Sequence, residues 1–144
     1  MKKAGQIIKF LDRHHSVRMF SLVDKFEKAN KANGRVDIEY GTAFYLLASN
    51  EDIYKKALPY IGDGIQFKNM LAKQDFSSGE KVIVKLAANL FNSNYKNIAP
   101  IDIIGYLDNE LFETAMCAMS MRYYQELYLG DLFYDDNSFT QEEQ

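Results

Sequence analysis

Helix-capping residues recur along this chain, each directly before apolar residues that repeat at three- and four-residue steps. Asp, Asn and Ser side chains accept hydrogen bonds from the first backbone N–H groups of a helix, so they mark where helices begin. Apolar residues at these steps lie on one face of a helix. The five capping residues are Asp12, Asp37, Asn50, Ser77 and Asp108. The pattern therefore predicts an all-α fold.

The first half of the chain predicts three helices. The apolar residues after Asp12 fit a long amphipathic helix that ends near Asn30, ahead of an Asn-Gly turn. The segment after Asp37 is almost wholly apolar, which is typical of a helix buried at the centre of a domain. The helix after Asn50 is short because Pro59 interrupts it.

The second half predicts three more helices. Residues 59–78 have a weak pattern and are interpreted as irregular. Ser77 and Glu80 have the spacing of a capping box at the start of a long helix, and Pro100 suits the first turn of a short one. The last long helix follows Asp108. Its predicted buried face consists of Leu111, Phe112, Ala115, Met116, Met119 and Tyr123.

These elements indicate a single globular domain. In a chain of 144 residues we expect five to six helices over residues 1–129, three of them long. Two short apolar runs on either side of Gly130 favour a C-terminal hairpin, and an extended acidic segment is the alternative. Residues 130–144 are expected to form an acidic, partly mobile tail.

Charge is distributed unevenly along the chain, although its net value of −3 is ordinary. Residues 1–36 hold nine basic and three acidic side chains, and no basic residue follows Arg122. The single cysteine, Cys117, suits a reducing compartment. No stretch approaches the roughly 18 consecutive apolar residues that a membrane helix needs. We therefore expect a cytoplasmic protein that does not insert into a membrane.

Residues that commonly catalyse reactions are few and poorly placed. His14 and His15 are adjacent, so on a helix their side chains diverge by about 100° and do not share one metal ion. Cys117 has apolar neighbours and is predicted to be an inert, desolvated thiol. We expect partly exposed histidines, no metal or other cofactor, and no catalytic residue. A metal-dependent hydrolase that uses His15 and scattered carboxylates is the weaker alternative.

The basic first third of the chain offers one candidate binding surface. Lys25 and Lys28 share a helix face in the predicted first helix, and Arg18 lies two turns earlier. Such a stripe could bind nucleic acid through its phosphates. The other interpretation is a solvated helix face, because the chain as a whole is acidic.

Aromatic and acidic residues crowd the C-terminal end. Tyrosine, with its apolar ring and polar hydroxyl, is favoured at protein interfaces. This end could therefore bind another protein. That protein could be a host protein, a phage protein or, in a homodimer, a second copy of the chain. Alternatively, the segment packs back over the domain. The candidate contact residues are Tyr128, Asp131, Phe133, Tyr134, Asp135 and Asp136.

Five short segments carry a resemblance to a known family. They are Phe10-Leu11-Asp12-x-x-His15, Leu46 to Tyr54, Leu86 to Asn92, Pro100-Ile101-Asp102 and Leu107-Asp108. Together they resemble an uncharacterised family of small helical proteins from Gram-positive bacteria and their phages or mobile elements. The resemblance covers residues 10–123 and implies an all-helical phage or mobile-element protein, but it brings no activity or site residue. We expect a protein-interaction factor without catalytic activity.

Overall fold

A computed structural model describes residues 2–134, and these residues form eight α-helices. The all-α prediction is confirmed. The predicted number of five to six helices is too low, because the sequence pattern does not predict the short helices Ala4–Ile7 and Phe67–Lys73. The helices are α1 Ala4–Ile7, α2 Arg13–Lys25, α3 Ile38–Leu47, α4 Glu51–Ala57, α5 Phe67–Lys73, α6 Ser78–Phe91, α7 Pro100–Tyr106 and α8 Asn109–Tyr124.

Capping side chains begin the helices where the sequence predicted. Each accepts a hydrogen bond from the backbone N–H three residues later, at distances from 2.8 to 3.3 Å. The five caps are Asp12, Asp37, Asn50, Ser77 and Asp108. These predictions are confirmed, and each bond satisfies a backbone donor that the helix itself leaves unpaired.

Helix α3 lies at the centre of the fold. Residues 41–48 carry no charged side chain, so this part of the helix has no face to turn toward water. Every residue from Gly41 to Ser49 is buried, and helices α2, α6 and α8 pack around them. The prediction of a buried central helix is confirmed.

Two segments differ from the sequence prediction. Helix α2 ends at Lys25 rather than near Asn30, and the 3₁₀ turn Glu27–Ala29 follows it. Residues 59–78 contain α5, where Phe67 and Met70 are buried one turn apart. These two side chains anchor a short helix to the core even though its sequence pattern is weak.

The segment after α8 packs back across the domain. The N–H of Gly5 donates to the carbonyl oxygen of Glu126 at 3.2 Å, and the N–H of Val36 donates to that of Leu127 at 2.9 Å. Leu127 and Leu132 are both fully buried. The predicted hairpin is wrong for the described residues, because the backbone of Leu127 pairs with Val36 and Leu129–Leu132 forms a 3₁₀ turn.

Candidate functional site

Tyr128 and Asp131, two of the predicted C-terminal contact residues, form bonds within the chain. The Tyr128 hydroxyl donates to Glu126 Oε1 at 2.7 Å, and the Tyr128 N–H donates to Asp131 Oδ2 at 2.9 Å. The Asp131 carboxylate also lies against Gly5, where a Cβ atom would come within 2.0 Å of it. Both side chains therefore stabilise the turn that holds the C-terminal segment against α1.

The other predicted C-terminal residues differ in exposure. Phe133 is 62 % exposed, and its ring lies 5.2 Å from the Phe20 ring between centroids. Tyr134 is half-buried, and Asp135 and Asp136 lie outside the described residues. Among the predicted residues that the structure describes, Phe133 thus offers the most exposed ring to a partner.

The three residues of the predicted basic stripe do not lie together on one helix. Arg18 Nε donates to the carbonyl oxygen of Ala48 at 2.8 Å, and Arg18 Nη2 donates to that of Ser49 at 3.4 Å. Its guanidinium therefore caps the C-terminal end of α3. Lys25 is the last residue of α2, and Lys28 lies beyond it in the following 3₁₀ turn.

His15 is fully buried, so the prediction of a partly exposed side chain is wrong for this histidine, whereas His14 is exposed. His15 Nδ1 accepts the N–H of Leu11 at 3.1 Å, and Nε2 donates to the carbonyl oxygen of Tyr45 at 2.8 Å. Burial lowers the pKa of His15 from 6.5 to about 4, because a charged imidazole would lose its hydration there. The neutral ring joins the start of α2 to α3.

Cys117 and Tyr45 bond to the segment between α1 and α2. Cys117 is half-buried; its Sγ accepts the N–H of Lys9 at 3.4 Å and donates to the carbonyl oxygen of Ile7 at 3.6 Å. The Tyr45 hydroxyl donates to the carbonyl oxygen of Lys9, and burial raises the pKa of Tyr45. Within residues 2–134, no three His, Cys, Asp or Glu side chains are grouped so that they could hold a metal ion.

Helix α8 has two apolar faces, and the face that enters the core carries Thr114, Ala115, Ala118 and Met121. Ala115 and Ala118 are fully buried, whereas Phe112 is 39 %, Met116 46 % and Tyr123 77 % exposed. The predicted buried face is therefore confirmed for Ala115 and wrong for these three large residues. Because alanine side chains are short, α8 can lie close against α3 with the large side chains outside.

Helix α7 continues the exposed apolar surface of α8. Ile103 is buried, but Ile101, Ile104 and Tyr106 are each more than half exposed. A groove of about 450 Å³ runs between α7 and α8, with α6 beside it. Asn89 is its polar lining residue. We define the α7–α8 groove by its main apolar lining, which is Ile98, Ile103, Ile104, Phe112, Met116 and Met119.

Local sequence positions α7 beside α8. Pro100 occupies the first turn of α7, and Asp102 Oδ2 accepts the N–H of Ala99 at 2.9 Å. At the other end, Gly79 in α6 lets the backbone of α7 approach closely. A Cβ atom at Gly79 would lie 3.1 Å from the carbonyl oxygen of Tyr106. These contacts constrain the two ends of α7, which packs against α6 and α8.

The α7–α8 groove was not among the sites predicted from the sequence. One signal was present: Phe112, Met116, Met119 and Tyr123 follow one another at steps of four, three and four residues. The sequence pattern predicts that this stripe is buried, because large apolar side chains usually gain most from burial. A second apolar stripe on the same helix, through Ala115 and Ala118, was the sign that one of the two faces could stay outside.

No helix within the described part of the chain is both long enough and apolar enough to cross a membrane.

Comparison with known proteins identifies a family. Neither the curated proteins nor the solved structures include a match to the chain. A family model matches residues 5–133, which confirms the expected resemblance to an uncharacterised family. The chain belongs to DUF6075, a family of unknown function.

Proposed function

We propose that this protein is an interaction module that binds a helix of another protein chain in the α7–α8 groove. One observation carries the proposal. Among the described residues, six of the eight large apolar side chains that are exposed belong to α7 and α8. An apolar surface concentrated in this way is typical of a protein-binding site, because a partner that covers it removes it from water. The six are Ile101, Ile104, Tyr106, Phe112, Met116 and Tyr123.

The chemistry of the groove favours an amphipathic helix as its occupant. The groove lies between two helices, and its lining is apolar apart from Asn89. Apolar side chains at three- and four-residue steps on a partner helix could fill such a groove. Met116 and Met119 have flexible side chains that adjust to the shape of what they contact. The lining carries no charged side chain that could pair with a phosphate or a carboxylate.

This proposal moves the interaction surface away from the C-terminal residues predicted from the sequence. Phe133 is still exposed there, but Tyr128 and Asp131 already bond within the chain. Nucleic-acid binding has less support because the Arg18 guanidinium caps α3. A small phage or mobile-element factor of a Gram-positive bacterium, acting in the cytoplasm, would fit an interaction role of this kind.

The variant Met116→Asp tests the proposal. A carboxylate in the groove lining would lose its hydration when an apolar helix binds, so binding becomes unfavourable. Val17→Asp is the matched control, because Val17 is an exposed apolar residue of α2. The partner would be captured from the source cell, purified and titrated by calorimetry. We expect Met116→Asp to weaken binding roughly tenfold or more, and Val17→Asp to leave the affinity unchanged.

Two results would contradict this proposal. Equal affinity of Met116→Asp and the wild-type chain, with circular dichroism showing that the variant is folded, would place the binding surface outside the groove. Loss of binding in Phe133→Ala alone would instead support the C-terminal surface.

A further inference from the structure

The outward apolar residues of α8 have the spacing of a coiled-coil seam; Phe112, Met116 and Tyr123 are exposed, and Met119 is half-buried. Phe112, Met116, Met119 and Tyr123 follow one another at alternating steps of four and three residues. These steps place them at successive d and a positions of a heptad repeat, which is the pattern that packs one helix against another. The opposite side of α8 already packs against α3, so the seam faces outward from the fold.

This seam is complementary to itself when two copies of α8 run in opposite directions. A two-fold axis between residues 117 and 118 places Phe112 of one copy opposite Tyr123 of the other. The same axis places Met116 opposite Met119. Aromatic side chains then meet at both ends and flexible thioethers meet at the centre. Two-fold dimers, in which the same surface binds itself, are the most common homo-oligomers.

The charges on α8 favour the same antiparallel arrangement. Glu110 and Glu113 lie in the N-terminal half of the helix, and Arg122 lies in its last turn. Parallel copies would place the two acidic halves at the same level along the helix axis, whereas antiparallel copies place each acidic half at the level of the half that carries Arg122. Arg122 Nε donates to the carbonyl oxygen of Leu90 at 3.0 Å, which holds this guanidinium against the C-terminal end of α6.

We infer that the helix bound in the α7–α8 groove is α8 of a second copy of this chain, so that the protein forms an antiparallel two-fold dimer. This inference rests on the proposed function and names its partner. It depends on the heptad spacing and on the charge distribution of α8, in addition to the exposed apolar area.

The methionines of the chain provide a direct test. Met116 and Met119 lie in the seam, whereas Met19, Met70 and Met121 are fully buried and serve as internal controls. The full chain, labelled at its methionine methyl groups, would be examined by NMR and by light scattering over a series of concentrations. We expect the mass measured by light scattering to rise from that of one chain to that of two chains as the concentration increases. The methyl signals of Met116 and Met119 should shift in parallel, while those of the three buried methionines stay fixed.

Two variants complete this measurement. Met116→Asp should keep the mass at one chain over the same concentrations, because its carboxylate would have to be desolvated at the centre of the interface. Val17→Asp, with its charge on α2, should form a dimer as the wild-type chain does. A dimer in both variants would overturn the proposed interface.

Disulfide cross-linking tests the direction of the two helices. In a Cys117→Ser background, chains carrying Phe112→Cys would be mixed with chains carrying Tyr123→Cys and treated with oxidised glutathione. Antiparallel packing predicts a mixed disulfide between the two kinds of chain. Efficient linking of each kind to itself would overturn the antiparallel arrangement.

The two proposals can fail separately. A mass of one chain up to the solubility limit would overturn the dimer. If a purified foreign partner still bound the wild-type chain and not Met116→Asp, the α7–α8 groove would remain a docking site for that partner. If neither a dimer nor a foreign partner depended on Met116, both proposals would be wrong.

Discussion

Helices α3 and α8 are both rich in apolar residues, yet the fold covers them differently. In α3, every residue from Gly41 to Leu47 is buried, and this includes the large rings of Phe44 and Tyr45. In α8, Ala115 and Ala118 are buried while Phe112, Met116 and Tyr123 are exposed. One helix is surrounded by protein on all sides, and the other is covered on one side.

The comparison of α3 with α8 shows that apolar character alone does not decide which face of a helix enters the core. The rings and leucines of α3 already fill the space at the centre, where Phe44, Tyr45, Leu46 and Leu47 are fully buried. Protein interiors are close-packed, so a neighbouring helix is added most easily through small side chains. Met121 of α8 fits into this core, but Phe112, Met116 and Tyr123 are left outside for a different contact, which we propose is another protein chain.

Removal of one phenylalanine ring from α3 and one from α8 tests this comparison. It should give the largest difference in the free energy of unfolding among the variants considered. Phe44→Ala in α3 leaves a cavity in the core and should lower the free energy of unfolding by about 3–5 kcal/mol. Phe112→Ala in α8 removes a ring that is 39 % exposed and should lower it by less than about 1 kcal/mol. Urea denaturation followed by circular dichroism measures both, at protein concentrations where light scattering finds one chain.

Equal losses in the two variants would show that the outer face of α8 is packed as tightly as α3. A loss for Phe112→Ala that grows with protein concentration would support the dimer, because removal of an interface ring destabilises only the associated state.

Lowering the pH should weaken the contact between α2 and α3. The pKa of buried His15 is about 4 in the folded chain and 6.5 when the ring is in water. Between these values the unfolded chain binds a proton that the folded chain does not, so stability falls as the pH falls. The shift corresponds to about 3 kcal/mol lost from pH 7 to pH 4. Urea denaturation at a series of pH values would measure this loss.

Two histidine variants separate this effect from other titrations. His15→Gln should flatten the dependence between pH 6.5 and 4.5, where the carboxyl groups still contribute little, even if the variant is less stable throughout. His14→Gln is the matched control, because His14 is the exposed neighbour of His15 on the same helix. A similar curve for His15→Gln and the wild-type chain would show that His15 is not the group responsible.

The sequence predicted the beginnings of the helices well and the outward faces poorly, for a physical reason. A cap such as Asp12 or Asp108 bonds to a backbone group three residues away, so the information is local. Which face of α8 is buried depends on how much of the core α3 has already filled. No stretch of the α8 sequence contains that information.

Two other failures have the same origin. The position of His15 in a first helical turn predicts a surface residue, but its Nε2 donates a hydrogen bond to the carbonyl oxygen of Tyr45, 30 residues later. Gly130-Asp131 is a common turn pair, so the sequence predicts a C-terminal hairpin. The backbone of Leu127 instead pairs with Val36, which is far away in the sequence.

A matched pair of glycine variants compares the covered helix α3 with the exposed surface of α7. The expected changes in the free energy of unfolding are smaller here. A Cβ atom at Gly41 in α3 would lie 3.0 Å from side-chain atoms of Leu127 and Val36, whereas one at Gly105 in α7 would meet nothing within 4 Å. Gly41→Ala should therefore lower the free energy of unfolding by about 1–2 kcal/mol through overpacking. Gly105→Ala should raise it by up to about 1 kcal/mol, since alanine favours the helix.

Thermal and urea denaturation of both glycine variants would check these signs. A stabilising Gly41→Ala would show that Leu127 and Val36 can move aside, so that the C-terminal segment covers α3 loosely. A destabilising Gly105→Ala would show that the surface of α7 is less open than its exposure indicates.

The ends of the two helices also differ, and this difference supports the smallest predicted effect. The C-cap residue of α3 is Ala48, which has a right-handed helical backbone, whereas the C-cap residue of α8 is Gln125, which has a φ of 70°, a conformation that favours glycine. Gln125→Gly should raise the free energy of unfolding by about 0.5–1 kcal/mol. Asn33, with a φ of 63°, is the control, and Asn33→Gly should gain less because asparagine tolerates this conformation.

Urea denaturation of the two variants measures these gains, and equal gains would show that the end of α8 carries no special strain. Gln125 follows the seam of α8 without belonging to it, so Gln125→Gly should leave the dissociation constant of the dimer unchanged. A variant that stabilises the fold and does not affect association would separate the two roles of α8. Its inner face and its end hold the domain together, and its outer face is the surface that we propose binds the second chain.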